Sequence, residues 1–402
     1  MRGLWKQINE GVHDMCYIWA KEMKATVKDE GVLIFFLLVP ILYPLLYSWI
    51  YNNQVLREVP VAAVDLSHSQ ASREFLRAYD ATPEVKVAYY CNSLDEAKEL
   101  IGRQVVRGVL LIPQDFSGRL GRMQQAIISI FTDMSMMLNY KAIYQSATAV
   151  AGNMNAKIQI QQSGNTTQRE DEITTQPLAF EEVPIFNSTG GYGDFILPGV
   201  LMLILQQTLL LGIGLSAGTA RERNLNQDLI PLSPHYNGTF RIVLGKSLCY
   251  FMVYAIVSSY VCLCVPRLFG FIQLIRMSDF IAIMIPYLLA CIFFGMMLSC
   301  LVRYRENVIL LMVFISLPLL FLTGVSWPQS NIPGAWQGVS WIFPSTFGVT
   351  AYMRLNSMGA RIGDVTFELR CLWVQVAFYF CMACLVYGHQ LRETRRHLHI
   401  TD

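Results

Sequence analysis

Gly245, Lys246 and Ser247 carry the ending of a phosphate-binding loop, in which backbone N–H groups cradle nucleotide phosphates and a lysine reaches the outer ones. That loop requires a glycine where Phe240 stands, and GTFRIVLGKS leads into an apolar run rather than joining a strand to a helix. The segment therefore holds no nucleotide, and Lys246 reads as an anchor that snorkels from a helix end to the water boundary. Metal and redox chemistry fare no better. Of the ten cysteines, eight lie in apolar runs, where the thiol behaves as a small hydrophobe; Cys381 and Cys384 have CxxC spacing inside one of them. Cys91 is alone in the large polar region, so no disulfide framework can form within it. That region also lacks GxSxG and HExxH motifs and any cluster of carboxylates with histidines, and His68 reads as a surface residue.

Three groups of residues remain. Ala217 to Lys246 is the substantial polar interruption between two long apolar runs; Arg221, Glu222 and Arg223 open it and Asp228, Pro231 and Pro234 follow. A charged, proline-stiffened loop of this kind suits gripping by another protein. Gln206 and Gln207 place two amides near the middle of a charge-free run, Phe195 to Thr219, where each needs a partner on a neighbouring helix or lines a surface along which a molecule passes. Finally, Asn307 to Met353 is 47 residues without Asp, Glu, Lys, Arg or His. Its second part is broken by Pro328, Pro333, Gly334, Gly338, Pro344 and Gly348, which predicts a re-entrant or interfacial hairpin with Trp327, Trp336 and Trp341 at the water boundary.

The elements that position these groups belong to a membrane protein. The chain is 53% hydrophobic and 15% charged, against about 25% charged in soluble domains. Runs at Gly31–Tyr51, Phe195–Thr219, Ser247–Pro266, Phe280–Val302, Asn307–Trp327 and Cys371–Gly388 are each close to the roughly 20 residues that cross hydrocarbon. The first is longer than a signal-peptide core and lacks a nearby cleavage site, so it reads as an uncleaved anchor bent by Pro40 and Pro44. The predicted fold is a polytopic α-helical membrane protein with six transmembrane helices and an inserted extracytoplasmic α/β domain. Residues 1–30 form an amphipathic interfacial helix, in which Trp5, Ile8, Tyr17 and Trp19 alternate with Lys6, Lys21 and Lys24. Residues 31–51 are the first span, and 52–192 are the α/β domain, with strand-like runs at 59–66, 85–90, 106–112 and 126–133, a long helix over 140–158 and a mobile linker. Residues 193–402 supply the other five spans, the loop 217–240, the re-entrant segment 328–357 and a short tail.

Six spans put both termini on one side. With the termini inside, inner segments hold thirteen Lys and Arg and the short outer ones five, so the larger count marks the cytoplasm and the 52–192 domain lies outside it. A net charge of +2, dispersed along the chain, excludes a nucleic-acid partner. The predicted span cores carry no Asp, Glu, Lys, Arg or His, which argues against proton or sodium coupling.

This layout, with RERNLNQDLIPLSPHYNGTFRIVLGK before the third span and GVSWPQSNIPGAWQGVSWIFPSTFGVTAYMR before the last, resembles the permease of the ABC-2 family, in the subgroup with a large domain between the first two spans. Asn224 and Leu225 stand where that family's Gly-Thr pair begins. The resemblance implies a permease that pairs with a second permease chain, identical or related. It also implies docking of the 217–240 loop on a separate ATPase subunit, and outward movement of a hydrophobic or amphipathic substrate. ATP and Mg would sit on the partner, with no cofactor on this chain, and the outer domain is a place where a periplasmic adaptor could dock. The competing reading is a membrane-anchored binding or scaffold protein without transport; a membrane enzyme ranks third for want of a catalytic constellation.

Overall fold

The computed structural model describes residues 2–53, 55–164, 167–178, 185–187, 190–224, 228–231, 233, 235–236, 238–301 and 304–401. It divides into two units, one of residues 1–54 and 185–402 and one of residues 55–184.

The first unit is helical. Among the described residues, helix α1 (Arg2–Lys28) is followed by six helices long and apolar enough to cross a membrane: Glu30–Ile50, Tyr192–Arg223, Thr239–Leu268, Met277–Cys300, Arg305–Leu322 and Ile362–Arg396. They are numbered here as spans one to six. Span two is the hub, buried along most of its length, because its Leu, Ile and Gly residues present apolar surface all round. Gly212 makes room for span one, since a Cβ there would stand 1.9 Å from the Phe36 ring.

Prolines shape spans one and three through the hydrogen bonds they remove. Pro40 cannot bond the carbonyl of Phe36, and a π-helical turn occupies Ile34–Leu38. In span three a π turn at Tyr260–Cys264 precedes Pro266, and the carbonyl of Cys262 that Pro266 leaves unbonded accepts from Gln273 Nε2 at 2.9 Å and Tyr352 Oη at 3.0 Å.

The run 307–353 resolves into span five, a 3₁₀ turn at Gln329–Asn331, a short helix Gly334–Ser340 and a buried helix Pro344–Ser357. Pro333 caps the short helix and Pro344 occupies the first turn of the other, where a missing N–H costs nothing. Trp327, Trp336 and Trp341 are exposed. Span three starts at Thr239 rather than Ser247, and the helix of span six runs from Thr366 through the C-terminal stretch to Thr401.

The second unit is an α/β fold. Strands β1 (Val59–Asp65), β2 (Val85–Tyr90), β3 (Gly108–Ile112) and β4 (Ser129–Thr132) form one sheet in the order β2-β1-β3-β4, parallel except for the β3–β4 pair. Alternation along β1 sends Val61 and Ala63 to a core with Phe75, Tyr79 and Ile143, and Ala62 and Val64 to a second core with Ala97 and Val109. The helix after Ser93 is capped as its sequence predicts, with Ser93 Oγ accepting from the Glu96 N–H at 3.2 Å. The segment read as a mobile linker without apolar period contains a helix, Gln168–Thr175. A reciprocal cap between Thr167 and Glu170 nucleates it, a local signal that the lack of apolar periodicity concealed.

Candidate functional site

Three carboxylates along α1 and the residue after it organise one end of the helical unit. Asp14, Glu22 and Asp29 are spaced by eight and seven residues, which sets Glu22 and Asp29 on nearly one helical face with Asp14 turned aside. Each meets groups contributed by distant parts of the chain.

Asp14 accepts from Arg241 Nη1 at 2.6 Å and pairs with His235 Nδ1 at 2.9 Å. The His235 hydrogen bond, aided by Arg241 and opposed by partial burial, holds this carboxyl below its ordinary range. Tyr17 lies against His235 with ring centroids 4.2 Å apart.

Glu22 is buried. Burial pushes its pKa up, but Lys246 Nζ at 2.9 Å and hydroxyl donors on Tyr250 and Ser216, the latter at 3.0 Å, outweigh that and bring it below the ordinary value. The Lys246 side chain is 5% exposed and that of Glu22 8%. The snorkelling expectation for Lys246 is therefore corrected: an ammonium turns inward when a buried carboxylate waits within reach, a partner that lies 224 positions upstream (246 − 22). Ser216 stands in GLSAG, the spacing of a nucleophile elbow, but inside a helix and committed to Glu22.

Asp29 caps span one, accepting from the N–H groups of Gly31 and Val32 at 3.1 and 3.3 Å. It also accepts from Thr219 Oγ1 at 2.6 Å and Arg305 Nη2 at 2.9 Å. These donors outweigh its burial and lower its pKa. Through the three acids, α1 is tied to the end of span two, the start of span three and the start of span five.

The residues singled out in the loop divide between two environments. Arg221 is buried, and its Nη2 donates at 3.0 Å to the carbonyl of Cys300, one of the orphan carbonyls at the C-terminal end of span four. Glu222 and Arg223 are exposed at the last turn of the span-two helix. The carbonyl of Asp228 accepts from Asn224 Nδ2 at 2.6 Å, and Pro231 is half-buried behind the buried pair Leu229 and Ile230. Pro234 lies outside the described residues.

Gln206 is buried and joins three helices. Its Nε2 donates to Ser345 Oγ at 3.1 Å, its Oε1 accepts from the Ser345 N–H at 2.7 Å, and the Cys291 thiol lies 3.5 Å from the same oxygen. The first turn of the helix that begins at Pro344 is thus satisfied by an amide of span two. Gln207, the next residue, is half-buried. Pro328, Pro333, Trp336 and Pro344 sit in the turn-and-helix segment after span five, and none of them joins the acid cluster.

Among the described residues the grouping with metal-ligand chemistry is His13, Asp14 and His235, whose ligating atoms lie within 4.8 Å of one another. Arg241 already occupies one Asp14 oxygen and His235 the other. Cys381 is exposed and Cys384 half-buried, both as free thiols.

The acids themselves are what a sequence reading overlooks. Their signal is present as three carboxylates at near-heptad spacing beside Ile18 and Val32, apolar positions that a solvated acidic face would not interleave. A family model described as an ABC-2 family transporter protein matches residues 31–385. No curated protein and no solved structure matches the chain.

Proposed function

The chain belongs to the ABC-2 transporter family, a family of multi-pass membrane permeases, and from that premise we propose that it is the permease subunit of an ATP-driven exporter whose nucleotide-binding chain grips the segment 217–240 together with α1. ATP and Mg reside on that partner. The observation that carries the reading is the tethering of α1 through Asp14, Glu22 and Asp29 to spans two, three and five. A push on the exposed pair Glu222 and Arg223 at the end of span two has a stiff, charge-locked block to act on. In this reading the acid cluster and both termini face the cytoplasm of a cell whose inner membrane holds the six spans, residues 52–192 lie outside, two permease chains pair, and an amphipathic substrate leaves outward.

The test is co-purification of the chain with its neighbours followed by vesicle transport. Recovery of an ATPase and ATP-dependent accumulation of substrate support the proposal; absence of both sinks it. At the residue level, Glu222→Arg is expected to leave ATP hydrolysis running while transport falls about tenfold, the size of one lost charge-assisted contact. Glu222→Gln retaining full export, with Glu222→Arg equally active, would show that this side chain transmits nothing.

A further inference from the structure

A cavity of about 260 Å³ lies between the segment after span five and the start of span six, lined among others by Trp341, Phe347 and Phe367 and by Gln337, Thr350 and Glu368. Glu368 is 8% exposed. Its Oε1 accepts from Arg354 Nη1 at 2.8 Å, while its Oε2 is buried with no hydrogen-bond donor among the described residues. Folded proteins rarely leave a carboxylate oxygen in that condition, because the group loses hydration and gains nothing. The three rings meet edge to face, with centroids 5.9 Å apart for Trp341–Phe347, 6.5 Å for Trp341–Phe367 and 6.2 Å for Phe347–Phe367.

We infer that this cavity is a binding site for the ammonium group of an amphipathic amine. The chemistry selects that ligand. A carboxylate accepts only, so Oε2 calls for an N–H or O–H donor and repels an anion. Arg354 and Glu368 already balance one another, so the added charge is met by the negative faces of the rings, which attract cations and tolerate hydrocarbon. The hydroxyl of Thr350 donates to the Thr346 carbonyl at 2.8 Å and its oxygen accepts from Gln329 Nε2 at 3.5 Å, so what it has left to offer an added group is a lone pair and not a proton. Trp341 and Phe367 are each more than half exposed, so a hydrocarbon tail has a way out of the cavity. This inference names the substrate class of the permease reading and rests on that reading only for the movement of the bound molecule; the ammonium could equally be presented by a lipid headgroup, and the test separates the two sources.

The complete assembly is placed in phosphatidylglycerol nanodiscs without ATP, and binding of dodecylammonium and of dodecanol is measured calorimetrically. Dodecylammonium is expected to bind about tenfold more tightly, the scale of a hydrogen bond to a charged group. Glu368→Gln should remove that preference, and Phe367→Leu, which alters an exposed ring and leaves the ion pair intact, should weaken dodecylammonium by about threefold. Equal binding of the amine and the alcohol, or wild-type preference in both variants, overturns the inference. Competition by phosphatidylethanolamine nanodiscs assigns the site to lipid headgroups, and its absence assigns it to a free amphiphile. With the same assembly in sealed vesicles given ATP, binding without ATP-driven accumulation of dodecylammonium leaves the site standing and overturns the permease reading, whereas accumulation without ammonium preference does the reverse.

Discussion

Glu22 and Lys246 form a buried ion pair where two apolar residues of similar volume would hold helices together at no smaller gain. Removing one partner is the costly change. Lys246→Met strands a carboxylate in the interior and is expected to cost about 3–5 kcal/mol, with Glu22→Leu in the same chain recovering most of it; thermal unfolding of the solubilised protein reads both. The same carboxylates set a pH window. Asp14, Glu22 and Asp29 all have folded pKa values below their ordinary values of 3.8, 4.5 and 3.8. Their stabilisation of the docked α1 is complete above those ordinary values and is lost as pH falls through the folded ones, because only then does the docked state take up the protons that the released state already holds. Amide exchange over residues 9–28 should be flat from pH 7 to about pH 5, once corrected for intrinsic rates, and should accelerate in more acidic buffer. Acceleration on going from pH 5 to pH 7 would contradict this assignment.

At the scale of elements, α1 is an amphipathic helix by its periodicity, and that much is visible in the residue order. Its apolar face does more than rest at a membrane surface. Ile18 is fully buried, and a Cβ on Gly245 of span three would stand 3.0 Å from Ile18 Cβ and 3.0 Å from the Met15 carbonyl. Helix backbones approach closely across small residues, and here a Cβ already falls at the limit of contact, so glycine fits best. Gly245→Val should therefore push α1 off span three, raising exchange over residues 9–28 by about tenfold or more while span two stays protected. The magnitude follows from overpacking costs of about 1–3 kcal/mol. Unchanged exchange would mean that the α1 interface is soft. The same reasoning explains why Lys246 misleads when read alone: it follows Gly245, and the glycine brings the acid-bearing helix within reach of the ammonium.

Over the whole molecule, the number of membrane spans and the break in the run 307–353 follow from residue order, because a helix needs a long uncharged run to cross hydrocarbon, and the closely spaced Pro328, Pro333, Gly334, Gly338 and Pro344 interrupt one where the single prolines inside spans two, four and five do not. The strands of residues 55–184 were likewise legible, since their apolar runs are short, β-branched and bounded by turn residues. What order alone could not show is pairing at a distance. Asp29 with Arg305, Asp14 with Arg241 and Gln206 with Ser345 join positions more than a hundred residues apart. A single charge at a helix end reads identically whether it faces water or a buried partner. Local chemistry and chain length thus determine the elements and the medium they occupy. Only the tertiary structure decides which polar groups meet, because burial makes a charge require a partner and packing, set by the whole chain at once, selects it.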